Sequence, residues 1–166
     1  MALSADRVTQ RKVPGLKSFP VKDATIIYAG GMVAIQNDGH AIPAADAANL
    51  KVVGVAKKTV DNSAGADGDL WVEVEQGLFL FTASSITQAM VGKMMYVVDD
   101  ETFDDAVGTN GVKAGKLVEY VSTTKGWIRI TDEQGVGCVV ADADATYGQP
   151  EADLINNLKL LLNTWL

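Results

Sequence analysis

The segment Leu70-Trp71-Val72-Glu73-Val74-Glu75 constrains the fold more than any other. Leu70, Val72 and Val74 alternate with Trp71, Glu73 and Glu75, and a strand sends successive side chains to opposite faces. The segment therefore reads as a strand with one face buried and the other wet or against a neighbour. Gln76-Gly77 interrupts the alternation, and Leu78-Phe79-Leu80-Phe81 resumes it.

Similar short apolar runs, broken by glycine and polar turns, fill the chain from residue 24 to residue 131. Thr25-Ile26-Ile27-Tyr28 leads through Gly30-Gly31 into Met32-Val33-Ala34-Ile35. Asn37-Asp38-Gly39 is a hairpin signal, with His40 to Pro43 as the return strand. Ala44 to Asn49 reads as a loop or a single helical turn. Leu50 to Thr59 reads as a strand, and Asn62 to Gly68 as a loop. Ser84 to Val91 suits a short helix capped by Ser84 or Ser85. Met94 to Val98 reads as a strand, Asp99 to Asp105 as an acidic loop, and Asn110-Gly111 as a second hairpin signal. Ala114 to Val121 and Gly126 to Ile130 close the series. Seven to nine short strands with no long amphipathic helix between them predict a mainly β fold, a compact small barrel or sandwich.

Two different segments flank this domain, taken as residues 23–131. Residues 1–22 lack periodicity and contain Pro14, Gly15 and Pro20, so they read as an extended N-terminal arm. Through Asp23 this end carries Arg7, Arg11, Lys12, Lys17 and Lys22 against Asp6 and Asp23, a net of +3 in a chain of net charge −7. A basic arm on an acidic body is either a handle for an acidic partner or a solvated terminus. Residues 132–149 form a connector. Residues 150–166 read as a C-terminal amphipathic helix, with Pro150 at its start and Glu151 and Asp153 in the first turn. Leu154, Leu158, Leu161 and Trp165 make a seam that Ile155 and Leu162 widen. So short a helix must pack on something. Its own β-domain, symmetry mates and a partner's groove all remain open.

Several functions find no support. The acidic balance disfavours general nucleic-acid binding. No apolar run is long enough to span a membrane, and the first residues lack the apolar core of a signal peptide. Cys138 is the one cysteine, so no intramolecular disulfide can form. Synthesis in a reducing cytoplasm is the expectation. His40 is the one histidine and lies in no recognisable triad motif. Cysteine and histidine are too scarce for zinc. The carboxylates of residues 99–105, and the pair Asp142 and Asp144, do not match the alternation of an EF-hand loop. No phosphate-binding glycine motif follows a strand. No catalytic residue, metal or cofactor is expected. Trp71, Phe79, Phe81, Trp127 and the strand tyrosines read as core or oligomer contacts.

The order of these elements resembles the phage head decoration, or capsid cement, proteins of the small β-barrel type. The resemblance is carried by Gly31-Met32-Val33-Ala34-Ile35, Val53-Gly54-Val55-Ala56 and Trp71 to Phe79. It continues through Val91 to Asp100, which is similar to that family's "G-x-x-v-Y-v-d" stretch, then Ala114 to Glu119 and Gly126 to Ile130. It covers about two-thirds of the chain through short structural motifs whose order carries the weight. It implies a homotrimer on the outer surface of a virion capsid, at three-fold positions of the major capsid protein, made in a host bacterial cytoplasm. The N-terminal arm would then reach the shell, making Arg7, Arg11, Lys12, Leu16, Lys17 and Phe19 the contact candidates. Leu154, Leu158, Leu161, Leu162 and Trp165 are candidates for oligomer contact or helix docking. A tail, collar or fibre-base adaptor, or a carbohydrate- or surface-binding β-module, is the alternative.

Overall fold

The computed structural model describes residues 15–131. In chain order the strands are β1 (Leu16–Pro20), β2 (Thr25–Ile27), β3 (Met32–Ile35), β4 (Ala41–Pro43), β5 (Lys51–Ala56) and β6 (Val60–Asn62). They continue with β7 (Trp71–Glu75), β8 (Gly77–Ala83), β9 (Met94–Val97), β10 (Thr102–Asp104), β11 (Lys113–Ser122) and β12 (Lys125–Ile130). The mainly β expectation holds. The proposed C-terminal helix, with Leu154, Leu158, Leu161, Leu162 and Trp165, lies outside the described residues, as do Arg7, Arg11 and Lys12.

β1, β7, β5, β3 and β4 form one antiparallel sheet in that order. A parallel bridge between Val21 and Ala41 joins the chain just after β1 to β4, at the opposite edge. The sheet therefore curls until its two edges touch. Its concave face encloses Val21, Ile27, Val33, Ala41, Val53, Ala56, Val72 and Val74. β2 and β6 form a separate two-stranded ribbon. The remaining strands close a second barrel in the order β10, β8, β12, β11, β9. It holds Phe81, Ile86, Met95, Phe103, Leu117, Ile128 and Ile130.

β3 and β5 are buried on both faces. Val33, Val53 and Ala56 face the curled sheet's own core, while Met32, Ala34, Val52 and Val55 pack with the barrel residues. This double burial explains why both strands read as unbroken apolar runs rather than alternations. Simple alternation would put Val52 and Val55 on opposite faces. A β-bulge corrects this: Val33 pairs with Gly54 and Ala34 with Val52, leaving Val53 as the extra residue.

β7 and β8 are nearly one strand. Gln76 carries the chain from sheet to barrel, its amide N–H donating to the Gly15 carbonyl at 2.7 Å and its side-chain amide to the Val53 carbonyl at 3.0 Å. Inward positions change parity across it, from Val72 and Val74 to Phe81 and Ala83, with Phe79 half-buried edge-on to Phe81. The apparent resumption of the pattern at Leu78 therefore exposes Leu78 and Leu80 rather than burying them.

Four expectations need correction. The arm does not extend to residue 22: Leu16 to Pro20 pair with β7 over five positions, Phe19 packs on the sheet's core and Val21 is fully buried. The bracketing prolines conceal a strand whose neighbour β7 supplies the hydrogen bonds. Ser84 to Val91 is not a helix. It contains one 3-10 turn, Gln88–Met90, preceded by Thr87 with no side-chain cap, while Ile86 is drawn into the barrel. The acidic loop contains β10, because Phe103 at its centre is fully buried and pairs with both β9 and β8. Asn110-Gly111 does not make a hairpin of β10 and β11; β9 lies between those strands, and Asn110 bonds instead to Asp46.

Candidate interaction surface

The outer face of the barrel is built by the β8–β12–β11 ladder. Directly paired residues share a face of an antiparallel sheet. Leu78 therefore sits beside Arg129 and Arg129 beside Lys116; Leu80 sits beside Trp127 and Trp127 beside Glu119; Thr82 sits beside Lys125. Leu78 and Leu80 are 44% and 45% exposed, and Trp127 is half-buried. The inward-facing partners, Leu117, Ile128, Ile130 and Phe81, fill the barrel. The apolar surface is thus left over after the core is complete.

At the Thr82 and Lys125 end this face falls into a groove of about 610 Å³. Its other wall is the turn from Tyr28 to Gly31, and its end is the β9–β10 hairpin with Asp100 and Glu101. The walls are tied down by backbone bonds. Gly30 N–H donates to the Ala56 carbonyl at 2.8 Å, and Met32 N–H to the Asp100 carbonyl at 2.7 Å. The Thr59 hydroxyl accepts from Ala29 N–H. Gly30 has φ +86°, a left-handed conformation that glycine adopts without strain. Tyr28 is 61% exposed at the rim.

Three other polar arrangements are structural. Lys22 Nζ lies 2.7 Å from Asp67 Oδ2 and 3.4 Å from Asp38 Oδ2. His40 Nδ1 is 3.3 Å from Asp38 Oδ2, but misaligned for a hydrogen bond and otherwise without a partner. Asp38, His40 and Asp67 come close enough to share a cation. The Lys22 ammonium, however, already sits against both carboxylates. The Asp67 carboxyl is held below the usual range by its bond from Lys22 and then by Asp23 N–H, and Asp38 chiefly by His40 N–H. The Lys22 ammonium is raised in turn, first by Asp67. Among the described residues no Ser, Thr or Cys side chain hydrogen-bonds to His40.

Asp46 clamps the loop before β11. Its carboxylate accepts from Thr109 N–H at 2.6 Å and Asn110 N–H at 2.9 Å, and these bonds lower its pKa in that order. Asn62, fully buried, donates through Nδ2 to the carbonyls of Lys22 and Ala66 at 3.0 and 2.9 Å, with Val21 at 3.3 Å. It pins the β6–β7 loop to the turn after β1.

Of the residues assigned to shell contact, Leu16, Lys17 and Phe19 are set in β1. Of the aromatic candidates, Phe81 is core, Phe79 and Trp127 are half-buried, and Trp71 is 61% exposed beside Pro20. The groove has no linear signature, because its walls come from two turns and from β8 and β12, with no shared spacing.

No protein-family model and no curated protein matches the chain. Among solved structures the chain is similar to the head fiber gp8.5 N base of bacteriophage phi29. The identity is 19% and the TM-score 0.43, over 70% of this chain and 94% of that one.

Proposed function

We propose that the protein is a structural, non-enzymatic phage head component: a decoration protein that binds the outside of the capsid as a trimer and stabilises it. The observation that carries this reading is the row Leu78, Leu80 and Trp127 on the outside of a barrel whose core is already full. An apolar row of this kind on a charged domain marks an interaction surface. The occupant is a second copy of the chain. Lys116 and Arg129 flank one end of the row and Glu119 stands beside Trp127, so the row offers both signs of charge to a neighbour; in a three-fold ring it would meet a different patch of the next copy. The order of strand motifs that resembles the capsid cement proteins supports the virion setting. Arg7, Arg11 and Lys12 then serve the major capsid protein. A shell repeats each contact many times, so a small interface suffices through multivalency.

The test is the solution mass of the full chain by light scattering, followed by binding to phage heads assembled without it. A mass three times the chain, lost on Leu78→Glu with the melting temperature kept, supports the reading. A monomer that also fails to bind heads overturns it.

A further inference from the structure

The groove beside the apolar row has a composition that the trimer reading does not use. Asp100, Glu101 and Lys125 all line it. Among the described residues none of these three side chains has an ion pair or hydrogen bond, and in particular the ammonium pairs with neither carboxylate. Elsewhere the chain pairs its charges where they meet, as Lys22 does with Asp67 and Asp38, and Lys57 with Glu73. The groove therefore holds two carboxylate acceptors and an ammonium donor that are not bonded to one another. Tyr28 adds an exposed aromatic ring at the rim, and the Thr82 hydroxyl and Leu80 complete the far wall.

We propose that this groove binds a saccharide. A sugar ring offers hydroxyls, which donate to carboxylates and accept from an ammonium, and a C–H face that packs on an aromatic ring carrying negative π density. Other small ligands fit less well. An anion such as a phosphate meets two carboxylates, and a cationic peptide brings like charge against Lys125. A purely apolar ligand leaves three charged groups desolvated without partners. A neutral polyol satisfies all of them. The volume lies within the range of small-ligand sites. The walls are already fixed by the bonds from Gly30 to Ala56 and from Met32 to Asp100, so little ordering is required on binding. This site does not depend on the capsid reading: a monomer or a trimer can carry it, with Leu80 at the boundary between groove and apolar row.

The experiment is an NMR titration of the ¹⁵N-labelled full chain. The probes are the methyl glycosides of glucose, galactose, mannose and N-acetylglucosamine, with maltotriose and chitotriose. Inorganic phosphate and trilysine are titrated separately. The expected result is a saturable shift of the Tyr28, Gly31, Thr82, Asp100 and Lys125 amides with at least one saccharide, at millimolar concentrations. That shift is lost in both Tyr28→Ala and Asp100→Asn. Asp100→Asn keeps the backbone carbonyl that Met32 uses, and Tyr28 is exposed, so each variant's unchanged spectrum elsewhere shows that it is folded. Three results overturn the proposal: no saccharide moves these amides, the shifts persist in both variants, or only phosphate or trilysine moves them.

Discussion

Replacing Gly54 by alanine tests the packing of the two cores against each other. A Cβ at this position would lie 2.7 Å from the Glu75 carbonyl oxygen, 3.2 Å from Val74 Cβ and 3.3 Å from the Glu75 carbonyl carbon. The first contact is with backbone, so no rotamer change relieves it. β5 would have to move away from β7, to which it is paired only through Val55 with Glu75 and Ala56 with Val74. It cannot move freely, because Val52 and Val55 are held on one side and Val53 and Ala56 on the other. Overpacking of this kind costs about 1–3 kcal/mol. The backbone at φ +155° adds roughly 1 kcal/mol for a residue bearing a Cβ. The expected loss is then about 3 kcal/mol, a fall in melting temperature on the order of 10 °C. Gly39→Ala is the control. It has φ +86° but nothing within 4 Å of the new Cβ, so it reports the cost of a Cβ at positive φ without a clash. Thermal unfolding followed by circular dichroism reads both variants. If Gly54→Ala melts no lower than Gly39→Ala, the steric argument for the bulge is wrong.

Asn62→Ala removes the donor shared by the Lys22 and Ala66 carbonyls, and urea unfolding should show a loss of about 2 kcal/mol. Acid should destabilise the domain. Asp38, Asp46, Asp61 and Asp67 all have lowered pKa values when folded, so their contributions are complete above the unfolded value near 3.8 and lost as pH falls through the folded values. A melting temperature that does not fall between pH 5 and pH 2.5 would remove this account, and the Asp46→Asn variant should show the shallower dependence. Deleting residues 1–14 should leave the melting temperature unchanged and weaken binding to heads, whereas deleting residues 1–20 removes β1 and should unfold the curled sheet; equal stability of the two truncations would refute the role given to β1.

Legibility in the sequence followed how each strand is buried. β7 announced itself because one of its faces is wet, so burial and exposure alternate along it. β3 and β5 gave runs without phase, and only the pairing of Val33 with Gly54 reveals which valine faces which core. β1 was hidden because Pro14, Gly15 and Pro20 suggest irregular chain, while the information that makes Leu16 to Pro20 a strand resides in β7, more than fifty residues away. Phe103 was masked by the carboxylates around it, although one large apolar side chain is enough to draw the backbone into a barrel. The surface features were the least legible. Lys22, Asp38, His40 and Asp67 meet across three turns, and the groove joins Tyr28, Asp100 and Lys125, so neither has a spacing that a linear reading could recognise.

The passage of the chain through Gln76 has a mechanical consequence. β1 and β7 run antiparallel with five residue pairs in register, and β7 continues through a single residue into the wall of the barrel. Tension applied at Gly15 along the strand axis would strain all the β1–β7 hydrogen bonds together, in shear. The same tension applied sideways would open them one after another, like a zipper. Gly15 and Gln76 lie at the same end of the pair, joined by the bond from Gln76 N–H to the Gly15 carbonyl, so that bond takes load at once by either route. A tether anchored at residue 15 would therefore resist pulling along β1 far better than pulling across it.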